Sequence, residues 1–218
     1  MREEDRWATF DCYGTLIDWN RGIQVELERL FGHDEDEIAA KLEAYHAAEA
    51  ELERDGSRSY REVMTEAMKR LGAPEGEEGG LADSLTSWQP FPEVRDALAE
   101  ARERGWRLAI LSNSDPDLIT ASKAALGVPF DETVVASEIH SFKPALTHWL
   151  EFRDRTLVDP RRHVHVAASN YHDIGPASKL RIPNIWINRL RERPVTSPTR
   201  ELPDLTELPD TLDDLIPG

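Results

Sequence analysis

Residues 6–16 read RWATFDCYGTL, and this stretch decides the fold. Residues 6–10 are predicted to form a short strand that ends at Asp11, and Gly14 indicates a turn directly after it. The same succession, a short apolar run that ends at polar side chains, recurs in RLAILSN at 107–113 and in VHVAASNYHD at 164–173. Strands of this kind, separated by helical stretches, favour βαβ units and a parallel sheet covered on both faces.

The rest of the chain divides into two kinds of pattern. After residue 92, predicted helices at 94–101, 115–126, 144–155 and 176–180 alternate with strands at 107–111, 133–136, 164–168 and 185–187. Between residues 19 and 90 the apolar spacing is helical and no strand-like alternation occurs. Beyond Arg191, prolines at 194, 198, 203 and 209 indicate a loop that ends in a helical turn near Leu212.

We therefore predict an α/β fold built on a doubly wound parallel sheet with a Rossmann-like core. The core comprises residues 1–18 and 91–218, and an all-helical cap domain is inserted at residues 19–90. In open parallel sheets, ligands bind outside the carboxyl ends of the strands. The site is expected at that edge.

Composition narrows the classes of partner and compartment. The 218 residues carry a net charge of −16, which argues against a nucleic-acid partner and against an anionic membrane surface. No run of 18 apolar residues could span a membrane, and Met1–Arg6 lacks the apolar region of a signal peptide. The single cysteine, Cys12, excludes an intrachain disulfide framework and a Cys-rich zinc site. A cytoplasmic location is expected.

Four short motifs fall at predicted strand ends. They are DCYGT at 11–15, SN at 112–113, KP at 143–144 and SNYHD at 169–173. Together they would bring an acid, a hydroxyl with an amide, a lysine and a second acid to one edge of the sheet. Each alone has an ordinary structural explanation, because aspartates stabilise turns and helix starts and most lysines face solvent.

In this order the motifs resemble those of the haloacid dehalogenase superfamily, and the most similar branch is the type II 2-haloacid dehalogenases. The resemblance covers residues 7–190 and places the helical insert where that family carries its cap. It implies that Asp11 is a nucleophile that forms an ester with the substrate. Lys143 would keep Asp11 ionised and neutralise an anionic substrate, and Asp173 would activate the water that hydrolyses the ester.

The resemblance also implies a set of substrate-binding residues. Ser112 would bind the substrate carboxylate, Asn113 would cradle the departing halide, and Asn170 would orient the intermediate. Backbone N–H groups of Cys12 and Tyr13 are natural anion donors. Three further residues complete the predicted site: Thr15 as a hydrogen-bond partner of Asp11, and His172 and Tyr60 as pocket-lining residues. For a cap cation that assists halide departure, the candidates are Lys41, Arg58 and Arg61.

Two positions distinguish the possible chemistries. Superfamily phosphatases carry a second aspartate where Tyr13 stands, and commonly a magnesium-holding acid where Ala168 stands. Halide leaves without a proton, so dehalogenation tolerates both losses. We expect removal of halide from small 2-haloalkanoic acids to give 2-hydroxy acids, without metal or cofactor. A magnesium-dependent phosphatase and a non-catalytic descendant that binds a small anion or a protein stay as alternatives, and a homodimer is left open.

Overall fold

The computed structural model describes residues 5–218; residues 1–4, part of the segment on which the signal-peptide prediction rests, lie outside the described residues. A six-stranded, wholly parallel sheet forms the centre, in the order β3-β2-β1-β4-β5-β6. The strands are β1 Arg6–Phe10, β2 Trp106–Ser112, β3 Glu132–Val135, β4 His163–Ala167, β5 Asn184–Ile187 and β6 Arg200–Leu202. The predicted α/β fold with a parallel sheet is confirmed.

Strand β1 lies in the middle of the sheet, between β2 and β4. Phe10 is in register with Ile110 of β2 and with Val166 of β4. Asp11, the next residue, therefore emerges at the centre of the carboxyl edge. In open parallel sheets, ligands bind at this position.

Ten α-helices surround the sheet within residues 5–218. Four of them, α1 Trp19–Phe31, α2 Glu35–Leu52, α3 Tyr60–Arg70 and α4 Gly80–Ser84, follow β1. The others are α5 Val94–Glu103, α6 Pro116–Leu126, α7 Ala136–Ile139, α8 Thr147–Thr156, α9 Gly175–Lys179 and α10 Leu208–Leu215. None of the helices in this part of the chain has the length and apolar composition that a membrane span requires.

The chain leaves the sheet for the helical insert and returns to the sheet at the same place. The Leu16 carbonyl accepts a hydrogen bond from the backbone N–H of Phe91, and the Asp18 N–H donates to the Gln89 carbonyl. Ile17 also pairs with Pro90 in an antiparallel bridge. The two connecting segments therefore run side by side next to Asp11. The domain boundaries at 18/19 and 90/91 stay a prediction.

A carboxylate of the core caps the N-terminus of a helix of the cap domain. Asp115, just before α6, accepts the backbone N–H groups of Tyr60 at 3.0 Å and Arg61 at 2.9 Å. These belong to the first turn of α3, whose N–H groups have no partner within the helix. The bonds fix α3 against the edge of the sheet.

The strands of the sheet present different residues to its two faces, as the alternation of a β-strand requires. Ala8 and Phe10 belong to a large apolar cluster that also contains Tyr45 and Met64 from the cap helices. Trp7 packs on the opposite face, in a smaller cluster with Phe152 of α8. Burial of one such large side chain contributes about 1.5–3 kcal/mol. The cap and the core thus share one hydrophobic interior.

The sequence prediction was wrong about the chain after Arg191. It placed the last strand at 185–187, but Arg200–Leu202 forms a sixth strand at the edge, with Ile187 in register with Leu202. This strand has three residues and only Leu202 is buried, so it lacks the apolar run by which strands are recognised. The predicted terminal helical turn is a helix, α10.

Candidate active site

Asp11 lies at the carboxyl end of β1 with both carboxylate oxygens held. Oδ1 accepts a hydrogen bond from Lys143 Nζ at 2.8 Å, and Oδ2 accepts one from Thr15 Oγ1 at 2.7 Å. The Thr15 hydroxyl accepts in turn from the backbone N–H of Ala168 at 2.8 Å. Gly14 has φ +85°, a conformation that glycine adopts without strain, and it permits the turn that returns Thr15 to Asp11. The carboxylate is therefore oriented from two sides.

Lys143 joins the two predicted catalytic acids. Its ammonium group donates to Asp11 Oδ1, to Asp173 Oδ1 at 2.7 Å and to the Leu111 carbonyl at 2.9 Å. The side chain is only 2% exposed, and its three donors are all used. Burial acts to lower the pKa of Lys143, but the negative charges of Asp11 and Asp173 raise it well above its usual value. The residue is therefore a permanent cation.

Asp173 is the most deeply buried acid of the site, with a side chain only 1% exposed. Its Oδ1 accepts from Lys143 and lies 3.0 Å from His165 Nε2, whereas Oδ2 has no partner among the described residues. Burial acts to raise the pKa of Asp173, but the Lys143 ammonium and the bond to His165 outweigh it and hold that pKa below its usual value. Asp173 is therefore ionised and has one oxygen free to accept a proton.

A cavity of about 500 Å³ opens above these groups. Asp11, Lys143 and Asp173 lie at its floor, at the edge of the sheet. The core side of the wall is formed by Tyr13, Ser112, Asn113, His172 and Arg189. The cap side is formed by Trp19, His46, Glu49, Glu53 and Tyr60.

Five of the residues predicted to bind substrate line this cavity: Tyr13, Tyr60, Ser112, Asn113 and His172. The rings of Tyr13 and Tyr60 are stacked, with centroids 6.1 Å apart, so core and cap meet through them. His172 Nδ1 lies 3.1 Å from Ser169 Oγ. Burial lowers the pKa of His172, which makes a neutral ring the form present at pH 7.

Asn113 reaches the cavity, but its amide is already engaged. Its Nδ2 donates to Glu53 Oε2 and to the Lys143 carbonyl, both at 3.1 Å, and its Oδ1 accepts the Lys143 N–H at 2.6 Å. The structure therefore gives Asn113 the role of holding the Lys143 backbone and the end of α2. A contact of this amide with a halide would require one of these hydrogen bonds to be exchanged, and the predicted contact stays a prediction.

Asn170 and Cys12 are not among the residues that line the cavity. Asn170 Nδ2 donates to the Thr196 carbonyl and its Oδ1 accepts the N–H groups of Val195 and Thr196, so its side chain ties down the loop before β6. The Cys12 side chain is completely buried, and burial raises the pKa of its thiol. The predicted contribution of the Cys12 backbone N–H to anion binding stays a prediction.

The three candidate cap cations lie away from the cavity. The Lys41 ammonium group sits 3.8 Å above the Phe31 ring, and Arg61 pairs with Asp83 and Asp117 at the surface. Arg58 and Arg61 line a separate shallow hollow. Among the described residues that line the cavity, the lysines and arginines are Lys143 and Arg189 alone.

Arg189 was missed by the sequence analysis. It follows β5 and packs its guanidinium 3.6 Å above the Phe91 ring, while Nη2 donates to Glu93 and to the Thr15 carbonyl. Its Nε is buried and has no partner among the described residues. The rule that ligands bind at the carboxyl ends of strands could have found it, because Arg189 comes two residues after Ile187.

Two buried acids on the cap wall were also missed. Glu49 Oε1 accepts from Tyr60 Oη at 2.7 Å and from Tyr45 Oη at 3.3 Å. Burial raises the pKa of Glu49 to about 7, and burial together with the charge of Glu49 raises that of Glu53. Nothing in the sequence distinguishes these two buried acids from the exposed acids next to them in the same acidic stretch.

The side chains at the floor of the cavity do not fit the magnesium site of a phosphatase. Mg²⁺ prefers six oxygen ligands in near-octahedral geometry. Asp11 and Asp173 share the Lys143 ammonium, and Tyr13 and Ala168 supply no further carboxylate. Within residues 5–218, no group of three or more His, Cys, Asp or Glu side chains is arranged to hold a metal ion.

Curated proteins with related sequences include 2-haloacid dehalogenases. An (S)-2-haloacid dehalogenase of Pseudomonas sp. (strain YL) is 35% identical over 111 residues, which is 50% of this chain and 47% of that protein. The chain thus spans about half the length of the relative matched there. An (S)-2-haloacid dehalogenase of Pseudomonas fluorescens is 26% identical over 84% of both chains.

The fold is shared with solved structures as well. The L-2-haloacid dehalogenase of Xanthobacter autotrophicus superposes with a TM-score of 0.83 at 21% identity, over 95% of this chain and 98% of that one. The haloacid dehalogenase-like hydrolase family matches residues 6–177. The recognition made from the four motifs is confirmed, and the chain belongs to the haloacid dehalogenase-like hydrolases.

Proposed function

We propose that this protein is a hydrolytic dehalogenase that removes halide from small 2-haloalkanoic acids through an aspartyl ester. One observation carries the proposal: Asp11 is held by Lys143 and Thr15 at the floor of a cavity, beside a buried Asp173 with an unpartnered oxygen. This pairing supplies a nucleophile for one displacement and a base for a second. The 2-haloacid dehalogenases among the relatives support the same activity.

In the first step, an Asp11 oxygen attacks C2 of the substrate. The new C–O bond forms as the carbon–halogen bond breaks, the electron pair of that bond leaves with the halide, and C2 is inverted. Lys143 orients the Asp11 carboxylate through the bond to Oδ1 and offsets the charge of the substrate carboxylate. The Ser112 side chain lines the core wall and is available for that carboxylate.

In the second step, water attacks the carbonyl carbon of the Asp11 ester. Asp173 Oδ2 accepts a proton from this water and returns it to the leaving alkoxide oxygen as the ester C–O bond breaks. The 2-hydroxy acid is released, and Asp11 loses the second proton of the water to solvent and is again a carboxylate. General-base assistance of this kind contributes about 10²- to 10⁴-fold. The oxygen gained by the product comes from Asp11, and the oxygen of the water remains on the enzyme.

The two alternatives make different demands on the same cavity. A phosphatase needs an acid to protonate the leaving oxygen, and the side chain at that position is Tyr13, whose hydroxyl lies 3.1 Å from Ser122 Oγ. Burial raises the pKa of Tyr13, which makes it a poor proton donor. A binding protein would use Lys143 but has no use for an Asp173 carboxylate with a free oxygen.

The test is halide release from monochloroacetate and 2-chloropropionate, with and without EDTA. We expect turnover in both conditions, because no step uses a metal. Activity that disappears with EDTA and returns with Mg²⁺ would favour the phosphatase. In ¹⁸O water with enzyme in excess, label should enter Asp11, while the 2-hydroxy acid of the first turnover stays unlabelled. Label in that product would remove Asp11 from the role of nucleophile.

Three further predictions go with this function. The cap is proposed to comprise residues 19–90, the protein is proposed to work in the cytoplasm, and a homodimer is the assembly that we would test first. Light scattering during size-exclusion chromatography measures the assembly directly. A mass of about one chain would overturn the dimer without affecting the chemistry.

A further inference from the structure

A chain of polar side chains lies inside the sheet, behind the site. Thr9 of β1 and His163 and His165 of β4 are each at most 3% exposed. Thr9 Oγ1 lies 2.7 Å from His163 Nε2 and 2.9 Å from His165 Nδ1, and His165 Nε2 lies 3.0 Å from Asp173 Oδ1. These side chains form a continuous hydrogen-bonded path into the active site, and the two steps described above do not use them.

The surroundings of this path are apolar. It lies on the face of the sheet covered by α8, where the Trp149 ring centroid is 5.1 Å from that of His165 and the Phe152 centroid is 5.0 Å from that of His163. Burying polar groups in such a place costs free energy unless they are hydrogen-bonded. Apolar residues would fill the same space without that penalty, so the stability of the sheet gives no reason for this arrangement.

The acceptor at one end sets the direction of the hydrogen bonds. Ionised Asp173 can only accept, so His165 Nε2 carries the proton and His165 Nδ1 is an acceptor. The Thr9 hydroxyl then donates to His165 Nδ1 and accepts from His163 Nε2. We assign this pattern from the network, since it satisfies every bond along the path.

We propose that His165 is a positioning residue for ester hydrolysis, and that Thr9 fixes the imidazole tautomer that this role requires. His165 and Lys143 together hold Oδ1 of Asp173, which leaves Oδ2 as the oxygen that accepts the proton of water. The proposal rests on the proposed function, in which Asp173 acts in the second step. Because His165 is behind Asp173 and does not line the cavity, it should affect that step and leave the first one unchanged.

The experiment measures the two steps separately. Halide released in a single turnover reports ester formation, and the mass of the Asp11 peptide reports how long the ester persists. In His165→Leu we expect ester hydrolysis to slow about 10- to 100-fold, the range typical of removing a group that orients a reactive residue. Halide release in the first turnover should stay within about threefold of wild type.

Three variants complete the test. His165→Gln retains an N–H donor and should recover most of the lost rate, whereas Thr9→Val keeps the volume and removes the hydroxyl that fixes the tautomer. Thr9→Val should therefore also slow ester hydrolysis. Trp149→Phe keeps an aromatic ring against His165 without touching Asp173, and both steps should proceed as in wild type.

Two results would overturn the proposal. One is a folded His165→Leu enzyme in which both steps slow equally or neither slows. The other result applies if His165→Leu does not fold. Thr9→Val is then the test, and an unchanged rate of ester hydrolysis in that variant would reject the positioning role of His165 and Thr9.

Failure of the proposed function gives a different pattern, because wild type itself would then release no halide. In that case ¹⁵N NMR of the imidazole rings still tests the positioning. We expect His165 to be protonated at Nε2 in wild type, with a weakened preference in Thr9→Val. A His165 ring protonated at Nδ1 in wild type would reject the proposal whatever the reaction is.

Discussion

Replacing Lys143 with methionine removes the charge at the centre of the site while nearly keeping the shape of the side chain. In wild type the ammonium group joins two buried carboxylates, those of Asp11 and Asp173, and a main-chain carbonyl. The variant leaves both acids in place with no cation between them. Catalysis should be lost, but stability is the sharper readout because it does not depend on knowing the substrate.

The size of the effect follows from burial. Lys143 is 2% exposed and Asp173 is 1% exposed, so water cannot replace the lost bonds. Removing one partner of a buried pair typically destabilises a protein by about 3–5 kcal/mol. This is a large part of the 5–15 kcal/mol by which a domain is usually stable. We expect Lys143→Met to lose about that much free energy of unfolding at pH 8.

The loss should depend on pH, with a sign fixed by Asp173. In wild type its folded-state pKa is lowered, so it contributes stability that is present above the unfolded-state pKa of about 3.9 and is lost as pH falls through the folded-state value. Without Lys143, burial raises that pKa above the unfolded value. The variant is then relatively more stable at low pH and loses stability as pH rises. The difference from wild type should be smaller at pH 5 than at pH 8.

Urea unfolding at both pH values measures this difference. Lys123→Met is the control, since Lys123 makes a single bond to the Thr133 hydroxyl at 3.1 Å from a partly exposed position. The double variant Lys143→Met/Asp173→Asn should regain part of the lost stability at pH 8, because it removes one of the unpaired charges. A Lys143→Met loss no larger than that of the control, and equal at both pH values, would refute this account of the site.

Three further predictions concern the walls of the cavity and the contact between the core and α3. Because the pKa of Glu49 is about 7, it gains negative charge as pH rises through 7, and KM for an anionic haloacid should rise about fivefold above that pH; Glu49→Gln should flatten the profile. His172→Trp should change the ratio of rates for fluoro-, chloro- and bromoacetate about threefold or more, and an unchanged ratio would assign it a structural role. Asp115→Ala should cost about 1–2 kcal/mol in urea unfolding through the lost cap of α3, whereas the surface variant Asp117→Ala should cost less than about 1 kcal/mol.

The sequence was sufficient to predict the position of the site residues that lie at strand ends. Asp11 follows a strand directly, so a local pattern and one topological rule were enough to place it at the edge of the sheet. Lys143 follows no strand directly in the structure; its motif was predicted at the same edge of the sheet, and the resemblance placed it beside Asp11. Its three hydrogen bonds depend on the packing of distant segments, which no local pattern contains.

Side-chain partners were the part that sequence could not supply. Asn113 and Asn170 occupy the positions that the motifs require, but their amides bond to Glu53 and to the 195–196 backbone. The motif fixes where the backbone goes, and competition among neighbouring donors and acceptors fixes where each amide points. For the path behind Asp173 a signal was present, because His163 and His165 alternate along a strand that is otherwise apolar. A buried strand with two polar residues on one face needs partners for them.

The distribution of charge in the cavity explains why no cap arginine was found. The positive groups, Lys143 and Arg189, come from the core, whereas the cap contributes Glu49 and Glu53. An anion that enters between these walls is repelled by the cap when the glutamates are ionised, and the cations that line its path, Lys143 and Arg189, belong to the core. It therefore meets Asp11 without a cation above it. The cap of this protein contributes enclosure and a pH-dependent negative wall, and the cations of the cavity belong to the core.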